Sequence, residues 1–314
     1  MAKEMYAFSR LKDALSRTKS LLWPPEWGVW LRLAVVALFV GGGSSLPNVF
    51  EYRFDGSDFA AGTAGVFPDV APMVVLGVVA LVLAIGLLWM FISATMQFVF
   101  VDMLSTGDIR IRRFFGDRLG KGARLFLFEI ALVVVMFLAI MALVFMLVGF
   151  GGTGASTSFQ ILALRPVILV AALLFGLVFL LTTDFVVPIM IRENCGVIAG
   201  WRRLIGTIAS SLWQTVVYVI VRFVLGLVAA VVRAILVILA LVVIAIPFVL
   251  VGIVLLATLQ ENLMMLLALV IPYLIIAIPV ALLIAVPFIT FFRYYALLVL
   301  EGLEPEPEYR LLPE

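Results

Sequence analysis

Long apolar stretches recur along most of this 314-residue chain, and they constrain its fold more than any other feature. A helix needs roughly 20 apolar residues to cross a hydrocarbon layer of about 30 Å. Apolar residues make up 65% of the sequence, charged residues only 13%, and the mean hydropathy is +1.28. A soluble core cannot bury that much apolar surface, so the sequence predicts an integral membrane protein.

The apolar stretches are continuous rather than alternating with polar residues, which favours helices over a transmembrane β-barrel. We therefore predict an all-α fold, a polytopic transmembrane helix bundle of about six spans with amphipathic cytoplasmic elbow helices. The chain has no histidine and one cysteine, Cys195, so it lacks the commonest metal ligand and the commonest general base. No metal, no other cofactor, no catalytic residue and no nucleic-acid partner is expected.

The predicted spans follow the apolar stretches in chain order: 28–46, 71–100, 124–149, 165–191, the tract 207–257, and 264–292. The tract of about 50 residues would measure near 75 Å as one helix. That length is too great for one crossing, so we expect a break at Pro247 or at Gly226. Two full crossings in the tract would give seven spans, whereas one crossing with an interfacial or re-entrant piece would give six.

Basic residues are concentrated on alternate connections, which sets the predicted orientation. Those before the first span are Lys3, Arg10, Lys12, Arg17 and Lys19, and those between the second and third spans are Arg110, Arg112, Arg113, Arg118, Lys121 and Arg124. Segment 47–70 is mainly acidic, and segment 149–158 carries no charge. Because basic connections stay inside, we place the N-terminus in the cytoplasm and predict a multi-pass protein of the cell membrane.

Three segments divide the chain. Apolar residues recur at helical spacing from Met5 to Leu22 with basic residues between them, so residues 1–26 are predicted to form an amphipathic interfacial helix. A solvated helix packed on the protein is the alternative for that segment. Residues 27–300 form the predicted transmembrane helical domain, and residues 301–314 form an acidic C-terminal tail.

An internal similarity favours six spans over seven. The segment Phe98–Phe114 closes on an Arg-Arg-Phe triplet, Phe185–Leu204 closes on Arg-Arg-Leu, and a shorter third copy covers Phe291–Gly302. If these segments are structural repeats, each ends on the same side of the membrane, which places the C-terminus in the cytoplasm. Chance similarity between apolar segments is the alternative.

The arginine pairs of the first two segments are the predicted lipid-headgroup contacts: Arg112, Arg113, Arg202 and Arg203. Glycines four residues apart accompany each pair, namely Gly116 with Gly120 and Gly196 with Gly200. We expect short amphipathic helices parallel to the membrane, with the glycines packed under neighbouring helices and the arginines directed toward lipid phosphates. A dimerisation face is the alternative use of the glycines.

Four ionisable residues lie within apolar spans: Glu129, Asp184, Arg222 and Arg233. Each costs a few kcal/mol at the bilayer centre unless it is paired or hydrated. We expect Asp184 or Glu129 to pair with one of the two arginines and fix the helix register. A substrate or proton pathway and snorkelling at the interface are the alternatives. Other side chains that could line a polar cavity are Gln97, Tyr218, Tyr294 and Tyr295, although aromatic residues near span ends more often form interfacial belts.

A resemblance to an uncharacterised family of archaeal multi-pass membrane proteins rests on several segments. They are Asp184–Met190, Glu193, Cys195–Val197, Ala199–Arg203, Phe292–Leu300 and Leu311–Glu314. The order of span, glutamate, glycine, arginine-rich elbow and span is more distantly similar to the membrane domain of some bacterial glycerophosphodiester phosphodiesterases. The resemblance implies a six-span bundle in an archaeal cytoplasmic membrane. It implies no activity, because the hydrolase domain with its metal-binding carboxylates has no counterpart in this sequence.

These features favour a non-enzymatic integral membrane protein, acting as a scaffold, an accessory subunit or a membrane-organising factor. Its expected partners are membrane lipids, with a protein partner or a homo-oligomer left open. The alternative is a transporter or lipid-translocating protein with a polar cavity around Asp184, Arg222 and Arg233. A dry, Leu- and Val-packed centre would favour the first function, and a broken helix with a water-filled cavity the second. An intramembrane enzyme ranks third, because the sequence has neither a Gly-x-Gly-Asp motif nor a nucleophile elbow.

Overall fold

The computed structural model of the protein describes residues 6–41, 72–150, 157–258 and 263–303. Nearly all of these residues are helical, and none of them forms a strand. The all-α prediction is therefore confirmed for the described ranges. The end of the predicted first span, segment 47–70, residues 151–156 of the predicted external turn and the tail after residue 303 lie outside the described residues.

In chain order the helices are α1 (Tyr6–Leu22), α2 (Trp27–Val40), α3 (Pro72–Thr106), α4 (Ile111–Phe150), α5 (Thr157–Leu181), α6 (Val187–Arg192), α7 (Val197–Ser210), α8 (Leu212–Thr258) and α9 (Leu263–Leu303). A π-helical turn, Thr182–Val186, joins α5 to α6. Within the described ranges, five stretches are long and apolar enough to cross a membrane: Leu76–Thr106, Ile111–Leu143, Pro166–Arg192, Leu212–Val254 and Leu269–Leu303. These stretches are what a multi-pass membrane protein requires.

Helix α2 covers the described part of the predicted first span. It has 14 residues and is apolar, whereas a crossing takes roughly 20 residues. A sixth crossing therefore stays a prediction.

Helix α8 corrects the break predicted within the tract 207–257. It runs without interruption through 47 residues and contains both Gly226 and Pro247. A full break in hydrocarbon would leave several backbone groups without hydrogen bonds, whereas Pro247 removes only one bond from a continuous helix. The chain turns instead at Ser211, directly after α7.

Two further helices extend beyond their predicted spans at the polar end. Helix α4 begins at Ile111 rather than near residue 124, so the basic segment and the span form one continuous helix. Helix α9 continues to Leu303, so Arg293 lies inside a helix rather than after it. Arginine and lysine are good helix formers, and charge alone therefore does not end a helix.

Helix α1 covers most of the described part of the N-terminal segment. Ala14 and Thr18, one turn apart, are buried, and the Thr18 hydroxyl donates to the Ala14 carbonyl at 2.7 Å. Arg10 and Asp13 form an exposed ion pair at 3.3 Å. The position of α1 on the lipid headgroups stays a prediction.

The described residues fall into two compact units. The first comprises those of Met1–Leu21, Ala94–Val224 and Thr290–Glu314, and the second those of Leu22–Ser93 and Leu225–Ile289. The first unit contains most of the fully buried large side chains and all of the buried polar ones among the described residues. The second unit exposes apolar side chains along α3 and α8, which suits contact with lipid tails. The candidate functional residues therefore lie in the interior of the first unit.

Candidate functional site

The candidate site begins at the π-helical turn Thr182–Val186, which places Asp184 in the interior of the first unit. The Val187 N–H bonds to the Thr182 carbonyl five residues back, where an α-helix would reach back four. In that register, the donor for the Thr183 carbonyl would be Pro188, which has no N–H. The local sequence therefore leaves one backbone acceptor open inside the protein.

Asp184 accepts two hydrogen bonds from α8. Its Oδ2 atom lies 2.8 Å from the Tyr218 hydroxyl and 3.2 Å from Arg222 Nε. The Asp184 side chain is 7% exposed and that of Arg222 is 20% exposed. Tyr218 and Arg222 are four residues apart and so share one face of α8. The carboxylate thus joins the π-helical turn to α8.

Aromatic rings surround this ion pair. The Arg222 guanidinium lies 3.9 Å from the centroid of the Phe292 ring. The Tyr218 ring lies 4.7 Å from Phe185 and 5.5 Å from Tyr295, measured between centroids. A cation over an aromatic face gains about 2 kcal/mol when it is desolvated, so Phe292 helps to hold the Arg222 charge away from water.

Arg293 of α9 fills the open acceptor. Its Nη1 donates to the Thr183 carbonyl at 2.5 Å, and its Nη2 donates to Gln97 Oε1 at 2.7 Å and to the Gln97 carbonyl at 3.2 Å. Arg293 is 4% exposed. One guanidinium thereby links α3, the π-helical turn and α9. We call Gln97, Thr183, Asp184, Tyr218, Arg222 and Arg293 the polar cluster.

The comparisons with known proteins add a family and no activity. A family of unknown function, DUF7544, matches residues 5–310, nearly the whole chain. The protein belongs to DUF7544. No curated protein and no solved structure matches it. The uncharacterised family that the sequence predicted is thus confirmed in that coarse form.

In the structure of the DUF7544 protein, the four predicted intramembrane charges lie in different surroundings. Asp184 and Arg222 form an ion pair in the polar cluster. Glu129 is buried on α4 in the same unit, and no contact among the described residues joins it to a cation. Arg233 is half-buried on the part of α8 that belongs to the second unit.

Sequence reasoning missed Arg293, because the last span was predicted to end at residue 292. A signal for it exists in the predicted repeats. Gln97, Asp184 and Arg293 are each followed directly by an aromatic residue, Gln97 and Asp184 just before a predicted repeat and Arg293 inside one. All three residues belong to the polar cluster.

A second set of polar contacts ties the basic segment of the DUF7544 chain to its neighbours. Arg118 donates to both carboxylate oxygens of Asp102, from Nε at 2.6 Å and from Nη2 at 3.1 Å. Lys121 Nζ donates to the Met190 carbonyl at 2.9 Å, near the end of α6. A lysine at a helix C-terminus satisfies carbonyls that the helix itself leaves open. These contacts fix α3 to α4 and α4 to α6.

Among the described residues, the tightest glycine packing occurs at two positions, only one of which the sequence predicted. A Cβ on Gly200 would lie 2.9 Å from Val186 Cγ1, and a Cβ on Gly122 would lie 2.9 Å from the Thr95 Cα. The predictions for Gly116, Gly120 and Gly196 were wrong, because a Cβ at each would meet no atom of the described residues within 4 Å. Gly116 and Gly120 lie on an exposed face of α4, and no helix of the described ranges packs against them there.

Helix α7 has one buried and one exposed stripe. The buried residues are Val197, Gly200, Leu204 and Thr207, spaced three or four apart. Exposed apolar residues occupy another face, with Ile198 at 77% and Ile205 at 59% exposure. The predicted headgroup residues Arg112, Arg113, Arg202 and Arg203 are all exposed. The Arg203 guanidinium lies 3.3 Å from the Glu193 carboxylate.

Cys195 lies just before α7 and is partly buried. Burial, and next the Glu193 carboxylate, raise the pKa of the Cys195 thiol. Among the described residues, no group of three or more carboxylate or cysteine side chains could hold a metal ion.

Proposed function

We propose that this protein is a non-enzymatic integral membrane protein that acts as a scaffold, an accessory subunit or a membrane-organising factor. One observation carries the proposal: the groups of the polar cluster bond chiefly to one another and to the backbone. The Asp184 carboxylate is occupied by Tyr218 and Arg222, and the Arg293 guanidinium by Thr183 and Gln97. Such a cluster fixes helix positions, because breaking any member leaves a buried polar group unpaired.

The proposed topology has six crossings in a cell membrane, with both termini in the cytoplasm. The five long apolar stretches support it, and α2 together with residues up to 46 would supply the sixth. An archaeal source and the distant likeness to phosphodiesterase membrane domains belong to this proposal as well. Its sidedness rests on the basic residues of α1, α4 and α7.

Anionic lipid headgroups are the proposed partner of the exposed arginines. Helix α7 supports this by its exposed Ile198 and Ile205 beside Arg202 and Arg203, the arrangement of a helix that lies in a membrane interface. The α7 region is therefore the proposed elbow. A protein partner or a homo-oligomer would bind the apolar faces of the second unit.

A transporter is the second candidate, and the π-helical turn favours it. Such turns occur often at functional sites, and here one carries the buried Asp184. A transported solute would bind around Asp184 and Arg222 of the first unit. The two functions differ in what the purified protein retains.

The test is purification of the full chain in nanodiscs formed from native membranes, followed by mass spectrometry. We expect a retained protein partner or a second copy, with bound anionic lipid. A retained stoichiometric solute that is lost in Asp184→Asn would overturn the scaffold proposal in favour of transport.

The lipid contact has its own control pair. The variant Arg202→Gln/Arg203→Gln is expected to retain less anionic lipid than the wild type. The variant Arg202→Lys/Arg203→Lys keeps both charges and is expected to retain it, because headgroup attraction depends mainly on charge. Equal lipid retention in both variants would contradict the headgroup role.

A further inference from the structure

The polar cluster contains two guanidinium groups and one carboxylate. Arg222 pairs with Asp184, whereas the contacts of Arg293 are to the neutral oxygens of Thr183 and Gln97. Arg293 also lies within electrostatic range of Asp184 and Arg222. The three charged groups therefore form one buried set with an excess of one positive charge, an arrangement that is costly away from water.

Other buried carboxylates of the first unit do not offset this charge. Asp102 is occupied by Arg118 in a two-point contact. Glu129 pairs with neither guanidinium of the cluster in the contacts of the described residues. The excess charge lacks a counter-ion within the part of the chain that the structure describes.

One nitrogen of the Arg293 guanidinium and one hydroxyl on the same helix also lack hydrogen-bond partners among the described residues. They are Arg293 Nε and Thr290 Oγ1, both buried. The hydroxyls of Thr182, Thr207 and Thr215 bond back to the carbonyl four residues earlier in their helices, and that of Thr290 does not. Thr290 and Arg293 are three residues apart and so are neighbours on one face of α9.

We infer that Thr290 and Arg293 form a binding site for one small monovalent inorganic anion of the chloride type. The Arg293 Nε–H and the Thr290 hydroxyl donate to the anion, and the guanidinium supplies the opposite charge. A water molecule would complete the hydrogen bonds but would leave the excess charge. A lipid phosphate carries acyl chains and is too large to reach these two donor atoms, because both are buried inside the protein. A monatomic anion both neutralises the excess charge and is small enough for the buried position.

The test measures thermal unfolding of the full-length protein in nanodiscs of uncharged lipid. Sodium chloride is compared with sodium gluconate at equal ionic strength, so that screening is constant. We expect the Tm to rise by several degrees with chloride and to saturate, as binding to the native state requires. Thr290→Val removes the hydroxyl at similar size and should lose at least half of that rise. The control Thr207→Val, which alters a back-bonded hydroxyl on α7, should keep it.

A second measurement, made on the wild-type protein, tests the proposal even where a variant fails to fold. The chloride NMR line of the wild-type protein should broaden beyond that of empty nanodiscs and should narrow again when bromide competes. A Tm that is equal in the two salts, or line widths equal to those of empty nanodiscs, would overturn the proposal. Full retention of the chloride-dependent rise in a folded Thr290→Val variant would overturn the assignment to these residues.

Discussion

Asp184 and Arg222 have opposite charges and form an ion pair in the interior of the first unit. Each charge is stabilised there by the other. We expect Asp184→Asn and Arg222→Gln each to lower the free energy of unfolding by about 3–5 kcal/mol, because each leaves a buried charge without its ion-pair partner. The double variant should lose much less than the sum of the two losses, since it removes both members of the ion pair. Denaturant titration of the detergent-solubilised protein, followed by tryptophan fluorescence, measures all three.

Additive losses in the double variant would show that the two residues act independently. The substitution Lys12→Gln on α1 is the control, since it removes an exposed charge outside the polar cluster. It should change stability by less than about 0.5 kcal/mol.

The reactivity of the Cys195 thiol depends on the charges and burial around it. Because burial and Glu193 raise the pKa of its thiol, less thiolate is present at neutral pH than in a free cysteine, whose pKa is about 8.5. We expect slow alkylation by a maleimide at neutral pH and a rate that rises as the pH increases. Glu193→Gln removes one of the charges that raise this pKa, so it should speed alkylation at neutral pH.

The matched control for Cys195 is Asp13→Asn, which alters an exposed carboxylate on α1. It should leave the alkylation rate unchanged. A slower reaction in Glu193→Gln would contradict the electrostatic explanation.

At the scale of elements, the close contacts of two glycines fix helix pairs. A methyl group at Gly122 would meet the backbone of Thr95, and one at Gly200 would meet Val186 of the π-helical turn. We expect Gly122→Ala to lower the free energy of unfolding by about 1–3 kcal/mol, because overpacking forces helices apart. Gly200→Ala should cost less, since a Val side chain can shift. Thermal unfolding of the purified variants measures both.

Gly116→Ala is the control for the glycine series, because its added methyl group meets nothing within 4 Å. It should be neutral or slightly stabilising, as alanine favours the helix by up to about 1 kcal/mol. Equal destabilisation of Gly116→Ala and Gly122→Ala would show that packing is not the cause.

The helices were predictable from the sequence, and their interruptions were not. The apolar stretches predicted α3 to α5, α8 and α9, because a continuous apolar stretch of that length satisfies its backbone in hydrocarbon as a helix, whereas a barrel strand alternates apolar and polar residues. Helix α8 continues through Pro247 because a full break in hydrocarbon would leave several backbone groups without hydrogen bonds. The pattern of residue types along the chain does not show this free-energy cost. The π-helical turn adds one residue to a helix already apolar on all sides, so it leaves no mark on the periodicity.

The candidate site was predictable only in part. Asp184 and Arg222 stood out because a charge within an apolar span is rare. Arg293 did not stand out, because it lies just after the end of the apolar stretch, although the helix itself continues to Leu303. The partner of each charge depends on which helix faces meet, and that follows from tertiary packing rather than from spacing along one helix.

At the scale of the whole molecule, the account rests on lipid being the solvent for the exposed apolar side chains. Helices α3 and α8 expose leucine, valine and isoleucine along much of their described length. Exposed apolar surface of this extent is unfavourable in water and costs nothing against lipid tails. The described charged residues are correspondingly concentrated in the first unit, where most of them pair with each other or are exposed.

Membrane extraction tests this claim most directly. Membranes from expressing cells are washed at high salt and then at alkaline pH, and the protein is followed in the pellet and the supernatant before and after detergent is added. The account predicts that the chain stays in the pellet through both washes and enters the supernatant as a folded, monodisperse species only with detergent. Release of an intact, folded and monodisperse chain without detergent would contradict it.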